Sequence, residues 1–211
     1  NRNVVIGWMS NWQYAAEVPT RQFRSANTLP RDISLFTGAD GQYYLRTVPS
    51  PEVKALRDRL TLSARNKGIG KKTSKFALPS DNGGVCEIAL SLNAKKAHTV
   101  TITLSNGNNE KVDMTFNPEA STFSFDRRQS GITDFSHDFP AKVTAPTLRE
   151  GTMQSLRIFI DRSSIEVFDG EGNFVLTNLV FPDSPYTTLS IAAEGGKATL
   201  NSLEIYSIKN N

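Results

Sequence analysis

The feature that most constrains this 211-residue chain is an alternation of apolar and polar residues with a period of two. It recurs in almost every segment after residue 70, and glycine, proline, asparagine or aspartate bounds the segments. A period of two places successive side chains on opposite faces of an extended strand, so that one face is buried and the other meets solvent. The predicted strands are 74–78, 85–92, 99–104, 111–116, 122–125, 155–160, 164–168, 174–180, 187–192 and 198–207.

Turn sequences separate these strands, for example at 106–108, 169–172 and 195–196. Antiparallel strands of this length and spacing are typical of a sandwich of two packed sheets. The chain is long enough for one large β domain or two small ones. We therefore predict an all-β protein whose main element is a two-sheet antiparallel β-sandwich of the jelly-roll or concanavalin-like type.

One helix is predicted, over residues 51–59. Ser50 suits the N-cap, Pro51 suits the first helical position, and Glu52 favours the positive end of the helix dipole. The apolar stripe of this helix would contain Val53 and Leu56, with Leu60 as an optional third member. The helix follows a predicted strand at 42–48, so we interpret residues 1–48 as one region, 49–60 as a linker helix and 61–211 as the sandwich.

An aromatic segment near the N-terminus is the strongest functional motif. Trp8, Trp12 and Tyr14 lie within seven residues of one another, and the chain has no other tryptophan. Aromatic rings next to amides such as Asn11 and Gln13 are what a sugar-binding cleft needs, because the apolar face of a sugar packs on a ring and amides bridge its hydroxyls. The alternative is an edge strand with its aromatic side chains packed in a core. If the motif is a site, we expect its other half upstream, outside this chain.

No complete catalytic group is recognisable. Hydrolysis of a glycosidic bond uses two facing carboxylates, and Asp161 and Glu166 are close in sequence. However, residues 161–163 are typical of a hairpin turn with Asp161 held by backbone amides, and Glu166 alternates away from the core, which predicts an exposed carboxylate. The two histidines, His98 and His137, lie far apart, and a loop histidine is favoured at 137 over a metal ligand. We predict no catalytic residue and no metal site.

Other classes of function are disfavoured by composition. Cys86 is the only cysteine, so an intramolecular disulfide is excluded, and we expect it to pack as a small hydrophobic residue. The basic run at 65–75 has no interleaved aromatic residues, which predicts a solvated loop and no nucleic-acid partner. No stretch of 18 apolar residues exists to span a membrane. The start of the chain resembles neither a signal peptide nor an initiator, so we expect a processed or excised piece.

Several motifs, in order along nearly the whole chain, resemble one known family. The N-terminal motifs are Gly7–Ala15, Val18–Thr20, Phe23–Ala26 and Thr28–Arg31, and the later ones are Ser130–Phe135 and Phe159–Phe168. The first group resembles the last propeller blade of the fructan hydrolases of glycoside hydrolase family 32, which include levanases, exo-inulinases and invertases. The second group resembles the C-terminal β-sandwich of the same enzymes.

This resemblance implies a five-bladed β-propeller that carries the active site, with the sandwich packed on its side. It also implies a retaining mechanism with an aspartate nucleophile, a stabilising aspartate and a glutamate acid/base, and no cofactor. The three catalytic motifs are missing from this chain: Arg31-Asp32-Ile33 is not Arg-Asp-Pro, and Cys86-Glu87 reverses Glu-Cys. We therefore expect the chain to be a C-terminal fragment of a glycosidase that is inactive by itself.

The residues that the resemblance assigns to the substrate are few. It implies that Trp12, and after it Trp8, lines the pocket for the terminal fructose. Asn11 and Gln13 follow as weaker candidates, and Arg24 either lines the pocket or joins two strands.

The expected partners are a fructan or sucrose and the upstream propeller domain of the same protein, with a homodimer through the sandwich as a further option. Two alternatives remain for the sandwich: a fructan-binding module that uses exposed aromatic residues on its face, or a purely structural or dimerising domain. The substrate class implies a secreted, periplasmic or cell-surface location.

Overall fold

Fifteen strands in three antiparallel sheets make up most of the chain in the computed structural model, which describes residues 2–148 and 151–209. Two of the sheets have six strands each and pack face to face as a sandwich, so the predicted all-β class and two-sheet architecture are confirmed. Within the described residues, no helix is both long and apolar enough to cross a membrane.

The first sheet has three strands, in the order β1-β2-β3. These strands are β1 (Asn3–Val5), β2 (Arg31–Thr37) and β3 (Tyr43–Pro49). The predicted strand at 42–48 corresponds to β3, whereas β1 and β2 have no counterpart among the predicted strands. The aromatic motif lies in the long connection between β1 and β2.

The sandwich sheet that faces the first sheet is called the near sheet, and its partner is called the far sheet. The near sheet, in spatial order, consists of β13 (Val175–Leu179), β12 (Ser164–Asp169), β11 (Met153–Ile160), β6 (Cys86–Asn93), β15 (Ala198–Ile208) and β4 (Arg57–Ile69). The far sheet consists of β10 (Lys142–Pro146), β9 (Thr122–Gln129), β8 (Lys111–Asn117), β7 (Thr99–Ser105), β14 (Thr188–Glu194) and β5 (Ser74–Ala77).

The sandwich core follows directly from the period-two pattern. Along β7, Val100, Ile102 and Leu104 are fully buried while the threonines between them are partly exposed. Full burial of each such side chain contributes roughly 1.5–3 kcal/mol. The register is therefore strongly specified, because a slip by one residue would turn the apolar set to solvent.

The helix predicted over residues 51–59 is of the 3₁₀ type and ends earlier than predicted. A 3₁₀ helix spans Pro51–Leu56, and Arg57 already begins β4, which pairs with β15 as far as Ile69. The predicted loop at 65–75 is therefore strand in its first part. β4 is an edge strand with mostly exposed residues, and a strand with so few buried side chains leaves a weak apolar pattern. A second 3₁₀ helix spans Asp81–Gly84.

The 3₁₀ helix and the first sheet cover the outer face of the near sheet. Val53 packs with Phe159 and Phe168, two residues that point away from the sandwich core. Phe168 also lies under the guanidinium of Arg31, whose central carbon is 5.2 Å from the ring centroid. Both faces of the near sheet are thus buried in this region, one by the far sheet and one by the N-terminal part of the chain.

Candidate functional site

Trp8 and Trp12 form an aromatic pair at the surface. Their ring centroids are 4.9 Å apart and the rings are inclined by 53°. The Trp8 indole N–H donates a 2.7 Å hydrogen bond to Ser25 Oγ, and a β-bridge joins the Trp8 backbone to Asn27. Trp12 is 89% exposed, against 39% for Trp8. The pair therefore consists of one anchored ring and one ring with a free face, which is suited to packing against the apolar face of a sugar.

Asn11 and Gln13 lie in the turn that carries Trp12. The side-chain Oδ1 of Asn11 accepts a 2.9 Å hydrogen bond from the Gln13 backbone N–H, and the Asn11 carbonyl accepts bonds from Tyr14 and Ala15. Asn11 therefore shapes the turn, and the exposed Gln13 stands next to Trp12 in it.

Tyr14 faces the opposite way from the two tryptophans. It is buried in a cluster shared with the sandwich, whose members are Met9, Tyr14, Val18, Phe139, Leu179 and Phe181. The two interpretations of the motif thus apply to different side chains. Tyr14 is a core aromatic, and the two tryptophans face solvent.

Arg24 is used within its own loop. Its Nη1 donates hydrogen bonds to the carbonyls of Ala16 and Val18, at 2.7 and 3.2 Å. In the described part of the chain no hydrogen bond or ring contact joins Arg24 to either tryptophan. The structure therefore brings Trp8, Trp12, Asn11 and Gln13 together and leaves Arg24 as a brace of the neighbouring loop.

A cavity of about 310 Å³ lies between the N-terminal loops and the near sheet. Its walls are mainly apolar and include Met9, Phe23 and Phe159, with Asp161 and Glu166 among the polar groups. Its volume is near the lower end of small-molecule sites. Both acids are already hydrogen-bonded to protein groups, so the cavity offers apolar walls without a free acid–base pair.

The prediction that Glu166 is exposed is wrong. Its side chain is 4% exposed and pairs with Arg31, while its Oε1 accepts a 2.8 Å hydrogen bond from the Leu29 N–H. Burial raises the pKa of Glu166 despite these partners, and burial lowers the pKa of Arg31. The side chain does point away from the sandwich core as predicted, but the first sheet covers that face.

Asp161 behaves as its sequence context predicts. Its N–H donates to the Ser164 carbonyl at 2.9 Å, and its Oδ1 accepts a 2.7 Å bond from the Arg162 N–H, which closes the turn between β11 and β12. Asp161 thus has a structural role in its turn, and Glu166 is engaged by Arg31 and by the Leu29 N–H.

The remaining candidates for chemistry do not assemble into a site. His137 is 92% exposed, with its Nε2 3.3 Å from Asp138 Oδ1. Cys86 is buried in the sandwich core, which raises the pKa of its thiol to about 12. Across residues 2–148 and 151–209, no group of three or more histidine, cysteine or acidic side chains is placed to hold a metal ion.

Comparison with known families agrees with the arrangement of a three-stranded N-terminal sheet and a sandwich. The family model described as "Glycosyl hydrolases family 32 C terminal" matches residues 52–207, and "Glycosyl hydrolases family 32 N-terminal domain" matches residues 1–49. The chain belongs to glycoside hydrolase family 32. The match passes from one family model to the other within the segment that leads into the 3₁₀ helix.

Its relatives include enzymes named levanase and extracellular exo-inulinase. The chain is 32% identical to the levanase of Bacillus subtilis over 213 residues, which covers 99% of the chain and 31% of the levanase. It is 32% identical to the extracellular exo-inulinase of Aspergillus awamori, covering 99% of the chain and 39% of that enzyme. The chain thus spans about a third of the length of these curated relatives.

A solved family 32 structure has the same fold over the whole chain. The exo-inulinase crystal structure from Aspergillus awamori superposes with a TM-score of 0.88 at 31% identity, covering 100% of this chain and 41% of that one. The fructofuranosidase of Schwanniomyces occidentalis, solved with fructose, has a TM-score of 0.80 at 22% identity and shares the fold.

Proposed function

We propose that this chain is the C-terminal part of an enzyme that hydrolyses β-fructofuranosyl linkages in levan, inulin or sucrose by a retaining mechanism with two carboxylates. In this proposal residues 1–48 end a propeller that carries the catalytic acids, and the sandwich from Arg57 onward packs on its side. The family membership and the levanase and exo-inulinase relatives support it. The same relatives favour a secreted, periplasmic or cell-surface setting, and the two-carboxylate mechanism requires no cofactor.

The observation that carries the proposal is the exposed Trp8–Trp12 pair on a segment whose other side is buried against the sandwich. In the parent enzyme these rings would form one wall of the pocket for the terminal fructose. Asn11 and Gln13 stand beside them, and Arg24 braces the wall. Packing one sugar on such a ring contributes on the order of 1–3 kcal/mol, so this half-site alone would bind in the millimolar range at best.

The exposed apolar face of the first sheet supports an upstream propeller as the partner. Leu35 and Leu45 are directly opposite each other on β2 and β3 and are 68% and 60% exposed, and the neighbouring Tyr43 is 76% exposed. A patch of this kind on a three-stranded sheet is what a neighbouring propeller blade would cover.

Binding of levan to the intact chain tests the sugar wall. We expect saturable heat when levan is titrated into the wild-type chain in a calorimeter, and we expect Trp12→Ala to lose it. Tyr43→Ala is the matched control, because it removes another exposed aromatic ring, which lies on β3 of the first sheet and not in the aromatic motif. Equal binding by the wild type and Trp12→Ala would rule out Trp12 as part of the wall.

A carbohydrate-binding face on the sandwich is the rival function. All four exposed aromatic side chains in the described residues precede the sandwich: Trp8, Trp12, Phe23 and Tyr43. This distribution favours the tryptophan wall. Calorimetric titration of levan into the double variant Trp8→Ala/Trp12→Ala tests this, since saturable heat that persists without both rings would rule out the tryptophan wall and favour the rival function.

A further inference from the structure

We propose that Arg127, a residue of the sandwich, is a positioning residue for the Trp8–Trp12 pair. Arg127 lies near the end of β9, just before the connection from Ser130 to Ala141 that leads to β10. The consequence of this role for sugar affinity rests on the proposed function.

The Arg127 side chain is buried between two aromatic rings of different regions. Its guanidinium carbon is 4.2 Å from the ring centroid of Phe139 and 5.4 Å from that of Tyr14. Its Nε donates a 2.8 Å hydrogen bond to the Phe139 carbonyl, and its Nη2 donates a 3.3 Å bond to the Tyr14 hydroxyl. These cation–π and hydrogen-bond contacts join the β9–β10 connection to the aromatic motif.

The environment of Arg127 makes these contacts costly to lose. The residue is 6% exposed, and none of the acidic side chains that the structure describes pairs with it. A buried cation without a carboxylate depends on the carbonyl, hydroxyl and ring faces around it. We therefore expect the Phe139 carbonyl and the Tyr14 hydroxyl to keep their positions while the guanidinium is buried between them.

Tyr14 connects Arg127 to the turn that carries Trp12. Its ring meets Phe139 edge to face, with centroids 5.3 Å apart, and its N–H donates to the Asn11 carbonyl at 3.1 Å. Trp12 lies inside that turn, and Met9, the neighbour of Trp8, packs in the same buried cluster as Tyr14. The highly exposed Trp12 has few contacts of its own, so the turn beneath it sets its angle to Trp8.

The β9–β10 connection is itself held firmly. The Ile132 N–H donates a 2.8 Å hydrogen bond to the Phe181 carbonyl, and Phe135 packs on both Phe139 and Phe181, with centroids 4.5 and 5.5 Å apart. Because the connection is held by these contacts, it can keep the Tyr14 ring in one orientation.

The chain provides its own reporter for the test. Trp8 and Trp12 are its only tryptophans, so tryptophan emission and the long-wavelength edge of the near-ultraviolet circular dichroism, where indole absorbs and phenol does not, report on the pair alone. A residue that merely stabilises the fold would change the unfolding midpoint and leave these signals of the folded state unchanged.

The experiment compares Arg127→Met and Tyr14→Phe with Arg157→Met in the full chain. Arg157 is the matched control, because its guanidinium also lies over a phenylalanine ring, Phe159 at 4.9 Å, and contacts neither Tyr14 nor Phe139. We expect both test variants to reduce the tryptophan dichroism of the folded protein and to weaken levan binding at least about threefold. Arg157→Met should do neither, and Arg127→Lys should recover part of the signal by restoring a charge and a donor.

Unchanged tryptophan dichroism in folded Arg127→Met and Tyr14→Phe would overturn the inference. Should Arg127→Met fail to fold, Tyr14→Phe decides, because it removes only the hydroxyl and keeps the ring. A wild-type chain whose tryptophans do not respond to levan would count against the proposed function, while the dichroism of the variants would still decide the role of Arg127.

Discussion

Arg31 and Glu166, 135 positions apart in the chain, form a buried ion pair between the first sheet and the sandwich. Glu166 also accepts hydrogen bonds from the Leu29 N–H and, at 3.4 Å, from the Thr177 hydroxyl. Its oxygens are thus fully engaged in joining two parts of the protein. The pair explains why a carboxylate on the outer face of a sheet is inaccessible to solvent.

Removal of one member of this pair should destabilise the protein strongly. Arg31→Met leaves Glu166 buried without its cation, which is expected to lower the free energy of unfolding by about 3–5 kcal/mol. The double variant Arg31→Met/Glu166→Leu should recover much of the loss, because no charge remains buried. Urea unfolding followed by far-ultraviolet circular dichroism measures both, and a single variant within ~0.5 kcal/mol of wild type would contradict the prediction.

Glu87 should make the stability sensitive to acid. It is fully buried, which raises its pKa, but hydrogen bonds from Arg57 and Arg157 at 2.6–2.7 Å outweigh this effect, and its pKa is lowered overall from the ordinary 4.5. A lowered pKa means that the unfolded chain binds more protons as the pH falls below 4.5, so the stabilisation is present above that pH and lost below it.

The measurement for Glu87 is urea unfolding at a series of pH values from neutral to about 3. Glu87→Gln should be less stable than wild type at neutral pH, with a shallower loss in acid. The exposed Glu119→Gln is the control and should follow the wild-type curve. A parallel acid slope in Glu87→Gln and the wild type would contradict this assignment.

Gly131 should tolerate no side chain. Its φ is +128°, and an added Cβ would lie 2.2 Å from the Phe181 carbonyl oxygen and 2.5 Å from the Pro182 Cα. Gly131→Ala is expected to cost several kcal/mol, roughly 3 or more, because backbone atoms must move. Gly107→Ala, where nothing lies within 4 Å, should change stability by about 0.5 kcal/mol at most. Similar thermal unfolding midpoints for the two variants would be inconsistent with this packing.

The chain by itself should release no fructose from levan. Asp161 is part of a turn and Glu166 is part of a buried ion pair, so both carboxylates have structural roles. Reducing-sugar assays on the purified chain should remain at background over long incubation. Fructose release that disappears in Trp12→Ala would show that the chain contains an active site after all.

The period-two alternation of apolar residues was sufficient to predict most strands of the sandwich. Several strands from β5 onward alternate buried and partly exposed residues, as β7 does at Val100, Ile102 and Leu104, so they are recognisable without knowledge of their partners. β12 does not alternate, because it is buried along its whole length, and β10 has no predicted counterpart, because it is mostly exposed at the edge of the far sheet. The prediction of helix and loop in the region of β4 is wrong for a related reason. An edge strand with few buried residues shows little alternation of apolar and polar residues.

The sequence also contained the aromatic motif and the family resemblance, but not the direction of each side chain. Trp12 and Tyr14 are two residues apart and differ completely in exposure, because Tyr14 meets Arg127 and Phe139 more than 100 residues away. No local pattern contains that information.

The sequence by itself determined the all-β class, the sandwich and the family, because these follow from short-range periodicity and from motifs in a fixed order. Only the tertiary structure decided which surfaces are covered. Glu166 points away from the sandwich core and is still buried, since Arg31 of β2 in the first sheet and Leu29 just before that strand pack over it. Burial is a property of distant segments brought together, and a period of two specifies only which face a side chain is on.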